Sequence, residues 1–547
     1  MDLMNNRPTN VLLVVTDQQR GDLVGASGSL PVRTPALDRL CNEGARFERA
    51  YVATPLCVPS RATLVSGQYP SRNGVWINGV GSPSDMLSLP ALLSERGGYR
   101  TAIVGKSHLQ QTYPVDFDPI TREFSSDGQG LSIEAPPRAR DHEFFRSWNG
   151  PYYGFEHARI SVGHTYRPNA YSMHYGLFLH DRGIPVAAPY FMTFAEAEEL
   201  LGNVGVPGPP TTREPDHRPM TWQLPEDCHS SSWVADEVIS YLRTHAARQS
   251  GDPFYIAANF PDPHPPFAVP APWDEMYEGV GLPPPARRLG EWEGKAELYR
   301  ATMEGRLAEM GFRDRWRPSN QTPLLTPTNE RTELEERWWR TYMGMQSLVD
   351  KHLDRILDEL DALGLAESTL VIATSDHGDS MGDHFLWQKG GSHYDGTIRV
   401  PLIVRWPGHV PAGARSNSIQ SLVDLPTTIM AAAGLEPDRR MQGIDQLPSW
   451  RDPAVSCREG TLIEHRIESG YHVNTWVTDR HRLSIYADLN NSRTELELYD
   501  LQEDPQELEP LPATGRARHE AVDELLADAW REAAAVQSPW LERETLN

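Results

Sequence analysis

The chain has 547 residues, enough for one large core and a smaller companion domain. Its 51 basic residues stand against 75 acidic ones, a net charge of −24 that repels nucleic acid and anionic membrane and obliges any anionic substrate to find a local cluster of cations. Four cysteines (Cys41, Cys57, Cys228, Cys457), none in a zinc-type pair, make no disulfide framework, and no stretch approaches the roughly 20 apolar residues of a membrane span.

The polar start, Met1 to Asn10, has no basic segment followed by an apolar one, so the sequence reads as soluble and cytoplasmic. Val11-Leu12-Leu13-Val14-Val15-Thr16 reads as a buried parallel strand and is closed by Asp17. Pro59 suits the first turn of a helix running through Ser66 to Gly67, which sets Cys57 just before a helix N-terminus, where free N–H groups favour an anion. A second strand at 101–104 precedes Lys106 and His108, and a third at 254–258 precedes His264. Residues from about 110 to 230 and from 261 to 330 lack a sustained period and are rich in Pro and aromatic residues, so they read as irregular caps on the pocket rim.

Apolar residues at Leu348, Leu353, Ile356, Leu357, Leu360 and Leu363 give a 3.6-residue stripe, a helix that runs into a strand at 370–373 closed by Asp376. A further buried parallel strand is expected at 401–404. Strands alternating with helices predict an α/β fold, a large mostly parallel sheet sandwiched by helices. After about residue 440 alternating runs at 461–467, 472–478, 482–487 and 495–499 predict a short antiparallel sheet, followed by a helix at 516–534. The domain reading is therefore a catalytic domain over 1–440 and a smaller α+β domain over 441–547. In open α/β sheets ligands bind beyond the carboxyl ends of strands, so Asp17, Lys106, His264 and Asp376 are expected to converge on one pocket.

Cys57-Val58-Pro59-Ser60-Arg61, followed by Leu64, Ser66 and Gly67, resembles the signature of the type I sulfatases, formylglycine-dependent members of the alkaline phosphatase superfamily. Gly105-Lys106-Ser107-His108 resembles that family's Gly-Lys-x-His segment, and Leu498-Tyr499-Asp500-Leu501 with Asp504-Pro505 resembles its C-terminal ending. The resemblance implies an alkaline-phosphatase-like fold and a sulfuric ester hydrolase in which a formylglycine-generating enzyme, reading Cys-x-Pro-x-Arg, converts Cys57 to Cα-formylglycine. A hydrated aldehyde carries two hydroxyls on one carbon: one, bound to metal, attacks the ester, and the other expels the product anion and restores the aldehyde. The resemblance further implies that Asp17, Gln18, Asp376 and His377 occupy metal positions, with Cys57 completing the set. Lys106 and Lys389 would grip the nonbridging oxygens and Arg61 the hydrated aldehyde. His108 would take the proton from its second hydroxyl, and His264 would contact the anion and assist departure of the alcohol, with Lys389 the rival acid. Asn78 and His393 are further candidates for substrate contact.

The metal pairs of the commonest sulfatase pattern read Asp-Asp and Asp-Asn, whereas Asp17-Gln18 and Asp376-His377 stand here. Oxygen ligands suit calcium, and the added imidazole shifts the preference toward manganese, so one divalent ion, calcium or manganese, is the expected cofactor. In this respect the chain resembles phosphonate monoester hydrolases and choline-sulfatase-like members. The alternative is therefore a phosphonate monoester or phosphodiester hydrolase, supported by Gln18 and His377 and opposed by Lys106 with His108, which sulfatases keep. A noncatalytic anion-binding paralogue would require Cys57 to stay unmodified. The alcohol part of the sulfate ester stays open among aryl, sugar and alkyl groups, including a quaternary ammonium on the aromatic caps. A homo-oligomer, dimer or tetramer, is expected from the length of those caps.

Overall fold

The computed structural model describes residues 10–78, 80–110, 132–134, 139, 141–162, 172–184, 219–222, 224–310, 322–323, 327–467 and 470–537. Much of the first expected cap, and part of the second, lies outside them. The main sheet is built from β1 (Asn10–Asp17), β2 (Ala45–Tyr51), β3 (Arg100–Lys106), β4 (His157–Ser161), β5 (Phe254–Pro263), β6 (Thr369–Ser375), β7 (Arg399–Arg405), β8 (Ala414–Ser416) and β9 (Gln420–Ser421). Its order is β8-β2-β7-β6-β1-β5-β3-β4, with β9 also pairing to β2.

All eight residues of β1 are buried because the strand has neighbours on both sides and cover on both faces. Val11, Leu13 and Val15 pack into one core and Leu12 and Val14 into the other, as a period of two requires. Helix α1 (Pro35–Glu43) and helix α2 (Cys57–Ser66) follow the first strands, then α3 (Ser230–Arg248) and α4 (Glu333–Ala362). Trp233, Val234 and Val238 of α3, with Val349, Leu353, Ile356, Leu357 and Leu360 of α4, cover the Leu12 face, and α2 contributes Val58, Ala62 and Leu64 to the other.

Helix α4 begins fifteen residues before the stripe that the sequence displays, at Glu333 rather than Leu348. Its first half turns Trp338, Trp339, Tyr342, Met343 and Met345 into a separate core beside Phe267 and Val269. A capping box fixes its start: Thr332 Oγ1 accepts from Glu335 N at 3.3 Å, and Glu335 Oε2 accepts from Thr332 N at 2.7 Å. From the middle of α4, Asp350 reaches back to accept the N–H groups of Ala36 and Leu37, both at 2.8 Å, satisfying donors that the first turn of α1 would otherwise leave unpaired.

Two expectations are corrected. The strand at 401–404 is not parallel: β7 runs antiparallel to both β6 and β2. Apolar content records burial and carries no direction, which is why the sequence could not reveal this. The stretch from 110 to 230 is not irregular throughout, since β4 adds a parallel strand beside β3 and Met173–Asp181 is helical. Only five residues long and interrupted by His157 and Arg159, β4 gives little periodic signal.

Strands β10 (Gly460–Ile467), β11 (Tyr471–Thr478), β12 (His481–Asp488) and β13 (Arg493–Asp500) form a four-stranded antiparallel sheet in sequence order. Helix α5 (Val522–Gln537) lies across one face, burying Val522, Leu525, Ala529 and Ala533 against Leu462, Trp476, Leu483 and Leu498. It starts six residues later than the sequence suggests, after His519 Nδ1 accepts the Ala521 N–H at 3.3 Å. The edge strand β10 is tied to the larger body by Glu464 N–H donating to Ala53 O at 2.8 Å. Among the described residues no helix is long and apolar enough to cross a membrane.

Candidate active site

Strands β6, β1, β5 and β3 are sheet neighbours in that order and all parallel, so their carboxyl ends open on one edge. Asp17 ends β1, Lys106 ends β3, His264 follows β5 and Asp376 follows β6. The register of β1 against β5 slips after Val15, bringing Asp17 opposite Pro263, the residue before His264. The antiparallel run of β7 has a direct consequence here. Since β7 returns down the sheet, the connection 376–398 stays on that same edge and keeps His377, Lys389 and His393 there. Strand β2 runs with β6, so its exit leads through 52–56 to Cys57 at the edge as well.

Donor atoms of Asp17, Cys57, Asp376 and His377 all lie within 4.8 Å of one another, and all four residues are buried. The Cys57 sulfur is 3.1 Å from His377 Nε2 and 4.0 Å from Asp17 Oδ1. Arg61, one turn into α2, bridges the two carboxylates, reaching Asp17 Oδ2 at 3.0 Å and Asp376 Oδ2 at 2.9 Å while donating to Lys106 O at 2.9 Å. Lys106 Nζ lies 2.5 Å from Asp17 Oδ2. The Gln18 side chain accepts from Lys389 Nζ and donates to Asp379, while its backbone N–H donates to Asp376 Oδ1 at 3.1 Å. Gln18 therefore holds Lys389 in place.

Three positioning residues escaped the sequence reading. Asp379 anchors Gln18 and also accepts from Met381 N at 2.7 Å and Gln388 N at 2.9 Å, fixing the loop that carries Lys389. Tyr342 donates to Gln18 O at 2.6 Å and accepts from Arg20 N at 3.0 Å, which secures the left-handed backbone of Gln18 at φ 67°. Ser60 donates to Asp376 O at 2.6 Å. Asp379, three residues beyond Asp376, offered a signal in its spacing; Tyr342, more than 300 residues from Gln18, offered none.

Burial works against the ionised form of Asp17, but Lys106 first, then His264, Arg61 and His377, hold its carboxyl well below the usual range. Burial and the neighbouring Asp17 instead push Asp376 up. Burial is the largest influence on His377 and opposes its charge, but Asp376 and the Cys57 sulfur together raise the imidazole. The Nδ1 of His377 lies 2.9 Å from the Gly378 carbonyl, which can only accept, so Nε2 is the atom turned to the cluster. It lies 3.7 Å from Asp17 Oδ1 and 3.6 Å from Asp376 Oδ1, in a field that attracts a cation. Two buried carboxylates and an imidazole nitrogen so arranged fit a divalent ion. For Cys57, burial and Asp17 raise the thiol, but Lys389, Lys106 and His377 bring it well below its ordinary value. The pocket is thus a local cationic centre in an acidic chain, suited to an oxyanion.

His264 directs Nδ1 at the Pro265 carbonyl, and its Nε2 is 4.0 Å from Asp17 Oδ1. Burial first and Lys389 second push its pKa down to about 3, which keeps the ring neutral. Asn78 caps α2 from outside: its Oδ1 accepts from Val58 N at 3.0 Å and its Nδ2 stands 4.0 Å from the Cys57 sulfur. Cys57 itself is the first residue of α2, one step further into the helix than the sequence suggested. His108 adopts a left-handed backbone at φ 49° two residues past β3, and its Nδ1 is buried without a hydrogen-bond partner. His393 is turned to the small sheet, where Nδ1 lies 2.9 Å from Thr475 Oγ1 and the ring stacks on His465 at 6.0 Å.

Residues 9–435 match the family model described as Sulfatase, and 382–533 match one described as N-sulphoglucosamine sulphohydrolase, C-terminal. The chain is 24% identical over 514 residues to the arylsulfatase of Clostridium perfringens (strain 13 / Type A), covering 91% of this chain and 89% of that one. It is 28% identical over 448 residues to the multifunctional alkaline phosphatase superfamily protein PehA of Trinickia caryophylli, covering 80% and 76%. The crystal structure of the phosphonate monoester hydrolase of Agrobacterium radiobacter superposes with a TM-score of 0.69 at 24% identity, covering 96% of this chain and 95% of that one, which shows a shared alkaline-phosphatase-like fold. A family model matched along most of the sequence, on a fold whose strand ends gather this cluster, gives the conclusion that the chain belongs to the sulfatase family and is a sulfuric ester hydrolase.

Proposed function

We propose that the chain cleaves sulfate monoesters with Cys57 in its oxidised, formylglycine form and with one divalent ion held by Asp17, Gln18, Asp376 and His377. The observation that carries this reading is the buried four-residue cluster, in which the Cys57 sulfur marks the place of the oxygen-bearing group. When present, the ion and the hydrated aldehyde supply a nucleophilic oxygen and positive charge against the ester anion. Its mixed oxygen and nitrogen donors favour manganese over calcium.

The chain's own residues supply the remaining functions. Lys106 and Lys389, held on Asp17 and Gln18, are set to bind nonbridging oxygens and neutralise developing charge. Arg61 keeps two mutually repelling carboxylates together and is committed to them, so it supports the site rather than reaching out to substrate. His264 has given its Nδ1 hydrogen to Pro265 and presents a lone pair at Nε2, so it accepts a proton, and Lys389 is the group that protonates the departing alcohol. His108, whose buried Nδ1 has no hydrogen-bond partner among the described residues, is the second proton acceptor in this reading. A formylglycine-generating enzyme is the maturation partner in this reading, and the working enzyme is a cytoplasmic homo-oligomer.

A second reading, hydrolysis of phosphonate monoesters or phosphodiesters, is favoured by Gln18 and His377 and by the fold shared with the Agrobacterium enzyme. The two separate on kcat/KM for 4-nitrophenyl sulfate and 4-nitrophenyl phenylphosphonate, which share a leaving group. A higher value for the sulfate supports sulfatase as the main activity, and a higher value for the phosphonate overturns it.

A further inference from the structure

Strand β10 passes close to the chain that flanks Cys57. Glu464 on this strand donates its N–H to Ala53 O at 2.8 Å and accepts from Ser71 N at 3.0 Å. Two residues on, and so on the same face of the strand, Arg466 lays its guanidinium over the ring of Trp76 at 3.5 Å from the centroid. Trp76 precedes Asn78 by two residues, a span of at most about 7 Å along the chain, and the Asn78 amide stands 4.0 Å from the Cys57 sulfur. The backbone that carries Trp76 therefore runs close to Asn78, whose side chain faces Cys57.

Arg466 is half-buried, and among the described residues it has no carboxylate within 4.0 Å and no hydrogen-bond partner. Glu464 is on the same face but is engaged by Ser71 and lies beyond ion-pair distance. His472, opposite Arg466 in the ladder, is kept neutral, its pKa brought down to about 4 by burial and then by Arg466. Stacking uses the face of a guanidinium and leaves its edge free, and that edge carries the paired N–H donors that match an oxyanion. A cation that only covered the Trp76 ring would have no need of that fork.

We propose that Arg466, seated on Trp76, binds a second oxyanion, a carboxylate or another sulfate, on the alcohol portion of the sulfate ester. The inference rests on sulfate ester hydrolysis at Cys57 and names the substrate class: alcohols that bear a second negative charge. In a chain of net charge −24 such a doubly anionic substrate needs a second cation besides those at the centre.

The test compares kcat/KM for 4-(sulfooxy)phenylacetate with that for its methyl ester, a pair whose methylene separates the carboxylate from the leaving oxygen, and for hydroquinone bis-sulfate with 4-methoxyphenyl sulfate. The wild-type enzyme is expected to favour the charged member of one pair by about ten- to hundredfold, the range of a charge-assisted hydrogen-bonded contact. The pair that shows it distinguishes carboxylate from sulfate. Arg466→Gln, with its unfolding midpoint checked against wild type, is expected to abolish the preference, and Arg466→Lys to restore part of it. As a measurement on wild type alone, 4-hydroxyphenylacetate is expected to inhibit more strongly than its methyl ester. No preference within either pair, or a preference unchanged in Arg466→Gln, overturns the proposal. Failure of wild type to turn over any of the four esters would instead refute the sulfatase reading.

Discussion

Replacing Arg61 by alanine removes the cation that spans Asp17 and Asp376. Both carboxylates are fully buried, and breaking a buried pair by deleting one partner costs about 3–5 kcal/mol because a charge is left uncompensated. Lys106 still faces Asp17, so the burden falls on Asp376, whose carboxyl burial and Asp17 already push upward. Without Arg61 its folded value rises further above that of the unfolded chain. A group raised in this way contributes most at low pH and loses that contribution as pH rises through the folded value, so the deficit of Arg61→Ala should be small at pH 5 and approach its full size at pH 8. Manganese, by restoring positive charge beside the carboxylates, should narrow it. Urea unfolding followed by the fluorescence of the 15 tryptophans, in EDTA and in manganese at both pH values, measures this. A deficit below about 1 kcal/mol at pH 8 in EDTA, or one independent of pH, would refute the argument that Arg61 holds two ionised carboxylates together.

Asp376→Asn should lower both bound metal and rate, with metal counted by plasma mass spectrometry on the purified protein; full occupancy would contradict its role as a ligand. Cys57→Ala removes a side chain that is only 2% exposed but small, so it should abolish turnover of an aryl sulfate with a change in unfolding free energy of no more than about 2 kcal/mol. Retained turnover would show that another group attacks. Asp350 is a purely structural case: burial raises its pKa to about 7 although Ala36 and Leu37 donate to it. Its folded value lies above the unfolded one, so its contribution is full below about pH 4 and lost as pH climbs to about 7. Wild-type stability relative to Asp350→Asn should therefore fall across that window at up to about 1.4 kcal/mol per pH unit, and a flat difference would exclude this titration.

The main architecture was legible because β1 and β6 are continuous apolar runs, each ended by an aspartate, and a strand buried on both faces must read that way. The small sheet was legible because Leu462, Leu483 and Leu498 turn one face to α5 while Thr475, Ser484 and Glu497 on the other face are buried in polar contacts, an arrangement that alternates along the sequence. Strand direction was not, because Val, Leu and Ile record burial alone, and the reversal at β7 emerges only from pairing. That reversal is what holds His377 and Lys389 above the other strand ends. The first half of α4 was hidden because tryptophan, tyrosine and methionine there interrupt the leucine stripe while burying as well as leucine does. The chain Asp379–Gln18–Lys389 links residues hundreds of positions apart, so no local pattern announces it. Gln18, the expected metal position beside Asp17, also contacts Lys389 and Asp379 through its side chain, a link that its sequence position does not announce.

The state of residue 57 in catalytically competent protein bears most directly on the central claim. Mass spectrometry of the tryptic peptide spanning residues 50–61, taken from enzyme that turns over 4-nitrophenyl sulfate, reads it without inference. Conversion of the thiol to an aldehyde lowers the mass by about 18 Da, and the fraction converted should track specific activity from one preparation to the next. Full activity in protein whose residue 57 remains an intact thiol would contradict the account.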